Sequence, residues 1–184
     1  MKHKYWGIAI VTALGFIACQ SGNDNFLITN DSIGTLTKST PFSDIATVYA
    51  NDSIVQDSSV SIAGTASAKK ANIYEKGGAH LLTLTPSEDS IPTVENIRIY
   101  DPRFKTEKGV GLNSTFKDIK DKYTIRKIIT SMNNVVIFIK ENDLYFTIDK
   151  KELPSSLRYA SSTNIEAVQI PDAAKIKYLM IGWE

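Results

Sequence analysis

Apolar positions recur at two different periods along this chain. Phe42, Ile45 and Tyr49 fall at i, i+3 and i+7, and so do Phe116, Ile119 and Tyr123. That spacing lays three large side chains along one face of a short amphipathic helix. Thr40-Pro41 offers a capping residue followed by proline at the first helical position, and Ser114 offers a cap for the second segment. Elsewhere the period is two. Residues 134–140 and 144–149, separated by Glu141-Asn142-Asp143, predict a β-hairpin, and residues 72–76 and 80–85 around Gly77-Gly78 predict another. Residues 95–100 and 175–182 each predict one further strand. Residues 53–70 read as an edge strand followed by a Ser/Ala/Thr-rich loop, and residues 150–169 as an irregular stretch.

The two sets of elements follow one another in the same order, and the residues partly repeat. Phe42, Asp44, Ile45 and Tyr49 are identical to Phe116, Asp118, Ile119 and Tyr123 at an offset of 74. Ile73 to Lys76 aligns with Ile137 to Lys140, and Leu82-Thr83-Leu84 with Phe146-Thr147-Ile148, at an offset of 64. Ile91-Pro92 with Ile97-Arg98 aligns with Ile170-Pro171 and Ile176-Lys177 at an offset of 79. The expected fold class is therefore α+β. Two tandem helix-plus-antiparallel-strand repeats, residues 30–105 and 106–184, would form one long curved sheet with helices on one face. The alternative is a single unduplicated α+β domain. This element order and repeat length resemble the tandem-repeat fold of β-lactamase-inhibitor proteins. No motif here transfers their inhibitory residues.

The start of the chain follows a third pattern. Lys2, His3 and Lys4 precede a mostly apolar run from Tyr5 to Ile17, and small Ala18 precedes Cys19. A helix of that run spans about 20 Å, short of the roughly 30 Å of a bilayer core. It suits a secretory signal peptide over residues 1–18 better than an amphipathic or buried helix. Phe16-Ile17-Ala18-Cys19 resembles the lipobox of bacterial lipoproteins, with Phe16 where leucine is commonest. The resemblance implies cleavage before Cys19, acylation of that cysteine and anchoring to a membrane. Residues 19–29 would then be a polar tether. Gln20 in place of aspartate points to the outer membrane of the cell envelope.

Composition narrows the chemistry. With 21 basic and 20 acidic residues among 184, the formal charge is +1, so no field marks a nucleic-acid partner. Cys19 is the single cysteine, and loss of residues 1–18 leaves His80 as the single histidine. Thiol catalysis and multi-histidine metal sites fall away. The Gly-containing stretch from Lys108 to Thr115 could cradle an anion at a helix N-terminus, but it lacks a complete phosphate-loop pattern and reads better as a turn. His80 reads as a packed histidine at a core edge, on the strand face of Leu82 and Leu84. Glu88, Asp89, Asp101 and Glu107 lie in turns near prolines, where solvated carboxylates are expected. Neither a Gly-x-Ser-x-Gly elbow nor a His-Glu-x-x-His helix occurs. No catalytic residue, metal site or cofactor is expected.

Strand alternation sets the last expectation. Leu82, Leu84, Ile97, Ile99, Phe146 and Ile148 form an apolar set assigned to the core. The opposite set is Leu81, Thr83, Arg98, Tyr100, Tyr145, Thr147, Lys177, Leu179 and Trp183, of which Arg98, Tyr100, Tyr145, Lys177, Leu179 and Trp183 are the candidate binding face. Tyr, Trp and Arg are enriched at binding hot spots; the alternative is the ordinary solvated side of a half-buried sheet. The expected function is a non-catalytic envelope lipoprotein that binds a protein partner. Inhibition of a secreted or periplasmic enzyme, or assistance in outer-membrane assembly, are the alternatives. Cys19→Ser should abolish processing and lipidation. Metabolic labelling with a fatty acid checks this, and label persisting on the variant would disprove the anchor.

Overall fold

Backbone pairing is almost wholly antiparallel and runs through short strands. A computed structural model describes residues 24–57, 69–159 and 164–183; the expected signal peptide, Cys19 and residues 58–68 lie outside the described residues. In chain order the elements are β1 (Leu27–Ile28), β2 (Ser32–Ile33), β3 (Leu36–Thr37), α1 (Ile45–Val48), β4 (Ser53–Asp57), β5 (Lys70–Tyr74), β6 (His80–Pro86), β7 (Val94–Ile99) and β8 (Lys105–Thr106). Then follow α2 (Phe116–Lys122), β9 (Ile125–Thr130), β10 (Asn134–Ile139), β11 (Leu144–Asp149), α3 (Ser155–Arg158) and β12 (Ile176–Gly182). The protein is mostly β-sheet, in two sheets, with few and short helices. This is more strongly β than the balance the sequence suggested.

The larger sheet has eight strands in the order β4-β5-β6-β7-β12-β11-β10-β9. Each half is a four-stranded meander, and the last strand of one pairs with the last strand of the other. One apolar row crosses the whole width. Ile54 pairs with Ile73, Ile73 with Leu82 and Leu82 with Ile99. Ile99 then pairs across the seam with Leu179, Leu179 with Phe146, Phe146 with Ile137 and Ile137 with Ile128. The six residues of this row from Ile73 to Ile137 are buried, and all six members of the expected core set are buried too. Fully burying one such side chain stabilises by about 1.5–3 kcal/mol, so this row and its neighbours dominate the stability of the sheet.

The helices add to the same core. Phe116 and Ile119 of α2 are buried, and the Tyr123 ring lies 6.4 Å from that of Phe146. Thr115 rather than Ser114 stands at the N-cap: its N–H donates to the Asp118 carboxylate at 2.8 Å, and its hydroxyl donates to the same oxygen at 3.0 Å. The first helical segment is a 3-10 turn, Phe42–Asp44, continued by the single turn of α1, with Ile45 and Tyr49 buried. The stretch expected to be irregular holds α3 between two 3-10 turns, Lys150–Glu152 and Ala167–Gln169.

The smaller sheet, in the order β3-β2-β1-β8, was not foreseen. Its strands are two residues long, too short to show a period. The expected tether, residues 19–29, therefore overlaps the fold: Ile28 is buried, and β1 pairs parallel with β8. Gly34 turns β2 into β3 at φ +55, where an added Cβ would stand 2.3 Å from the Asn25 carbonyl oxygen. An ion cluster joins the two sheets. Arg103 donates to both carboxylate oxygens of Glu75 at 2.9 Å and to both of Asp101 at 2.8 and 3.0 Å, and its guanidinium lies 4.2 Å from the Phe26 ring centroid. These hydrogen bonds from Arg103 hold the buried Asp101 carboxyl below its ordinary range.

Phe116→Ala should cost about 3–5 kcal/mol, because it empties a fully enclosed site between α2 and the sheet. Urea denaturation measures it, and a loss under about 1 kcal/mol would mean that α2 does not hold the core.

Candidate functional site

The sheet surface opposite the apolar row is the candidate site, and register decides what it displays. One row there runs Val55, Asn72, Thr83, Arg98, Met180, Tyr145, Phe138 and Lys127, each paired with the next. Tyr74, His80, Tyr100, Tyr178, Thr147 and Val136 lie beside it. Most of these residues are partly buried, neither in the core nor fully solvated.

Two bulges place the key side chains. In the first half Ile73 pairs with Leu82 but Tyr74 pairs with His80, leaving Leu81 as the extra residue. His80 therefore turns away from Leu82 and Leu84, contrary to the expectation that it shares their face. It stacks between Tyr74 and Tyr100, with centroid separations of 4.5 and 3.8 Å. Leu81, assigned to the open face, is buried instead and lines a cleft with Tyr49 and Phe104. In the second half Thr147 pairs with Tyr178 and Ile148 with Ile176, so Lys177 is the extra residue. Beyond that point the alternation is reversed. Tyr178, Met180 and Gly182 face outward, and Leu179 faces inward.

The candidate residues thus divide. Arg98, Tyr100, Tyr145 and Lys177 do share the open face. Leu179 and Trp183 do not: Leu179 is fully buried in the apolar row and Trp183 is 3% exposed, because the bulge at Lys177 shifts their parity. Thr147 keeps its predicted side but is buried. Tyr178, Met180, Phe138 and Tyr74 belong to the face and were not singled out. The bulge is invisible in an unpaired sequence, which is why the first two were missed.

Contacts across the face are specific. The Arg98 guanidinium lies over Tyr178 at 3.9 Å and beside Tyr100 at 4.8 Å. Lys177 is paired with Asp149 at 2.9 Å and donates to the Asn134 side chain at 3.2 Å. Phe138 and Tyr145 stack at 5.3 Å, and Asn96 donates to the Tyr145 hydroxyl at 2.6 Å. A cleft of about 500 Å³ opens beside this pair, lined by Asn96, Arg126, Phe138, Tyr145 and Gly182 among others.

The remaining chemical candidates disperse. The N-terminal turn of α2 is filled: Phe116 and Lys117 donate to the carbonyls of Ala174 and Asp172, and Asp118 occupies the cap. An anion has no free donors there. Glu88, Asp89 and Glu107 are exposed, and Asp101 is held by Arg103. The His80 Nε2 lies near the Leu82 carbonyl and the Thr83 hydroxyl, and among the described residues no carboxylate hydrogen-bonds to it. No group of three or more His, Cys, Asp or Glu side chains suited to a metal occurs among the described residues, nor is any described helix long and apolar enough to cross a membrane.

No protein-family model matches the chain, and no curated protein matches it. Among solved structures it is similar to the uncharacterized protein yfeY from Escherichia coli, at 14% identity and a TM-score of 0.52, over 83% of this chain and 97% of that one. At that identity the likeness concerns the fold alone.

Burial of the ring, followed by the nearby Arg98 charge, pushes the His80 imidazole below its ordinary pKa against the opposing Leu82 hydrogen bond. An unfolded chain then takes up the proton first. The native state should be favoured above pH about 6.5 and lose stability as pH falls below that value toward the folded pKa. Urea midpoints at pH 7.5 and 5.5 check this. His80→Phe, which keeps a ring in the stack, should flatten that part of the profile.

Proposed function

We propose that this chain is a non-catalytic, lipid-anchored protein of the cell envelope, held at the outer membrane through Cys19, and that the open sheet face binds a protein partner. The observation that carries the reading is the continuous ladder Tyr74–His80–Tyr100–Arg98–Tyr178, which crosses the seam between the two halves. Rings held by stacking lose little conformational freedom on binding, and they supply large contact area with polar edges. A sheet that needed only solvation on this side would be served by short polar residues.

The equal pairing scheme of the two meanders supports a duplicated unit. The row members Ile54 and Ile128, Ile73 and Ile137, and Leu82 and Phe146 stand at the offsets of 74, 64 and 64 already present in the sequence. The first repeat would contain α1 and β4–β7 and the second α2 and β9–β12, with both helices on the apolar side. If the partner is a secreted or periplasmic enzyme, the chain is its inhibitor. The two-meander arrangement, like that of β-lactamase-inhibitor proteins, supports that second reading.

Tyr100→Ala and Tyr145→Ala should leave the melting temperature within a few degrees of the parent, as surface changes do. Each should weaken capture of the partner from detergent-solubilised envelopes by tenfold or more, the size of one hot-spot contact. Strong destabilisation with capture intact would remove the binding face.

A further inference from the structure

We infer that Arg98 is a carboxylate receptor: the partner docked on this face inserts an acidic side chain whose planar carboxylate lies in the plane of the Arg98 guanidinium. The inference rests on the partner-binding reading and names the chemistry at its centre.

Arg98 differs from the other cations near it. Lys177 is neutralised by Asp149, whose carboxylate also accepts from the Lys151 backbone N–H. Arg103, further off, is saturated by Glu75 and Asp101. Arg98 forms no ion pair and no side-chain hydrogen bond with any described residue, and its Nε is buried without a partner. Its strand neighbours are Thr83 and Met180, which carry no charge. His80, next along the ladder beyond Tyr100, is held toward its neutral form. Arg126 and Lys127, at the β9 end of the same face, add further positive charge; of the carboxylates there, Asp149 is paired with Lys177, Asp57 accepts from Asn72, Asp143 is paired with Lys38, and Glu95 lines the cleft with Arg126.

The guanidinium carbon lies 3.9 Å from the Tyr178 centroid and 4.8 Å from the Tyr100 centroid, and with Nε buried the Nη atoms are the donors left for a ligand. A planar carboxylate accepts two parallel hydrogen bonds from such a group. Phosphate can take the same fork, but the partner is read as a protein, whose ordinary anionic side chains are carboxylates. The occupant is thus an aspartate or glutamate of a protein partner.

Benzoate and benzamide, titrated into the arginine-¹⁵N-labelled chain, test this through the Nε–Hε signals of its four arginines. Benzoate should shift the Arg98 signal saturably, with a Kd on the order of 1–10 mM, and leave Arg103 still. Benzamide, which has the planar shape without the charge, should do nothing. Arg98→Lys, which keeps the charge and loses the fork, should weaken benzoate by about tenfold or more, read on the Tyr100 ring signals; unchanged far-ultraviolet circular dichroism confirms its fold. An unmoved Arg98 signal, or equal shifts with benzamide, would overturn the assignment. If Tyr100→Ala abolishes partner capture while benzoate leaves Arg98 untouched, the carboxylate receptor falls and the binding face stands. If benzoate binds but neither Tyr100→Ala nor Tyr145→Ala affects capture, a partner side chain is overturned as the source of the carboxylate.

Discussion

The pairing of β7 with β12 is the contact on which the rest depends. It consists of four residue pairs, Ile99 with Leu179, Arg98 with Met180, Ile97 with Ile181 and Asn96 with Gly182, continued by the Trp183 N–H to the Glu95 carbonyl. On one side it joins the apolar rows of the two meanders, so that neither half has to bury its inner face alone. On the other side it brings Arg98 to Tyr178. The aromatic ladder is therefore a property of the joined sheet, and a single meander could not build it.

The two surfaces of the sheet answer to different physics. Inward, branched and aromatic side chains are enclosed, and area removed from water does the stabilising. Outward, stacked rings and a guanidinium over a ring contribute on the order of 1 kcal/mol per contact, and they order side chains more than they hold the fold. The Arg103 cluster does a third job. It fastens the Gly77-Gly78 hairpin, through Glu75, to the segment that follows β7, and through Phe26 to the smaller sheet.

Much of this was legible in the residues. The i, i+3, i+7 faces of Phe42 and Phe116, the two hairpins and the buried set from Leu82 to Ile148 needed only period and turn chemistry. What escaped notice had a common cause. The strands of the smaller sheet are too short for a period to form, and β9 was not singled out, its Ile-Ile pair and basic residues breaking simple alternation. Leu179, Trp183, Leu81 and His80 were assigned to the wrong side by counting twos through positions where a bulge adds one. A bulge belongs to a pair of strands, and only the partner strand reveals it. The candidate residues before the second bulge, Arg98, Tyr100 and Tyr145, accordingly lie on the open face, whereas Leu179 and Trp183 beyond it are buried.

The order of the strands also governs how the molecule comes into being. Ile99 and Leu179 are roughly eighty positions apart, and β12 follows every other strand in sequence. Until it arrives, the flanks of β7 and β11 are bare, hydrogen-bonding templates on which any other extended chain could grow. Closing so long a loop is slow compared with forming either meander. A nascent population of this protein is therefore at its stickiest just before its last seam closes, and crowding it at that moment favours exchange of β12 between neighbours over closure within one chain.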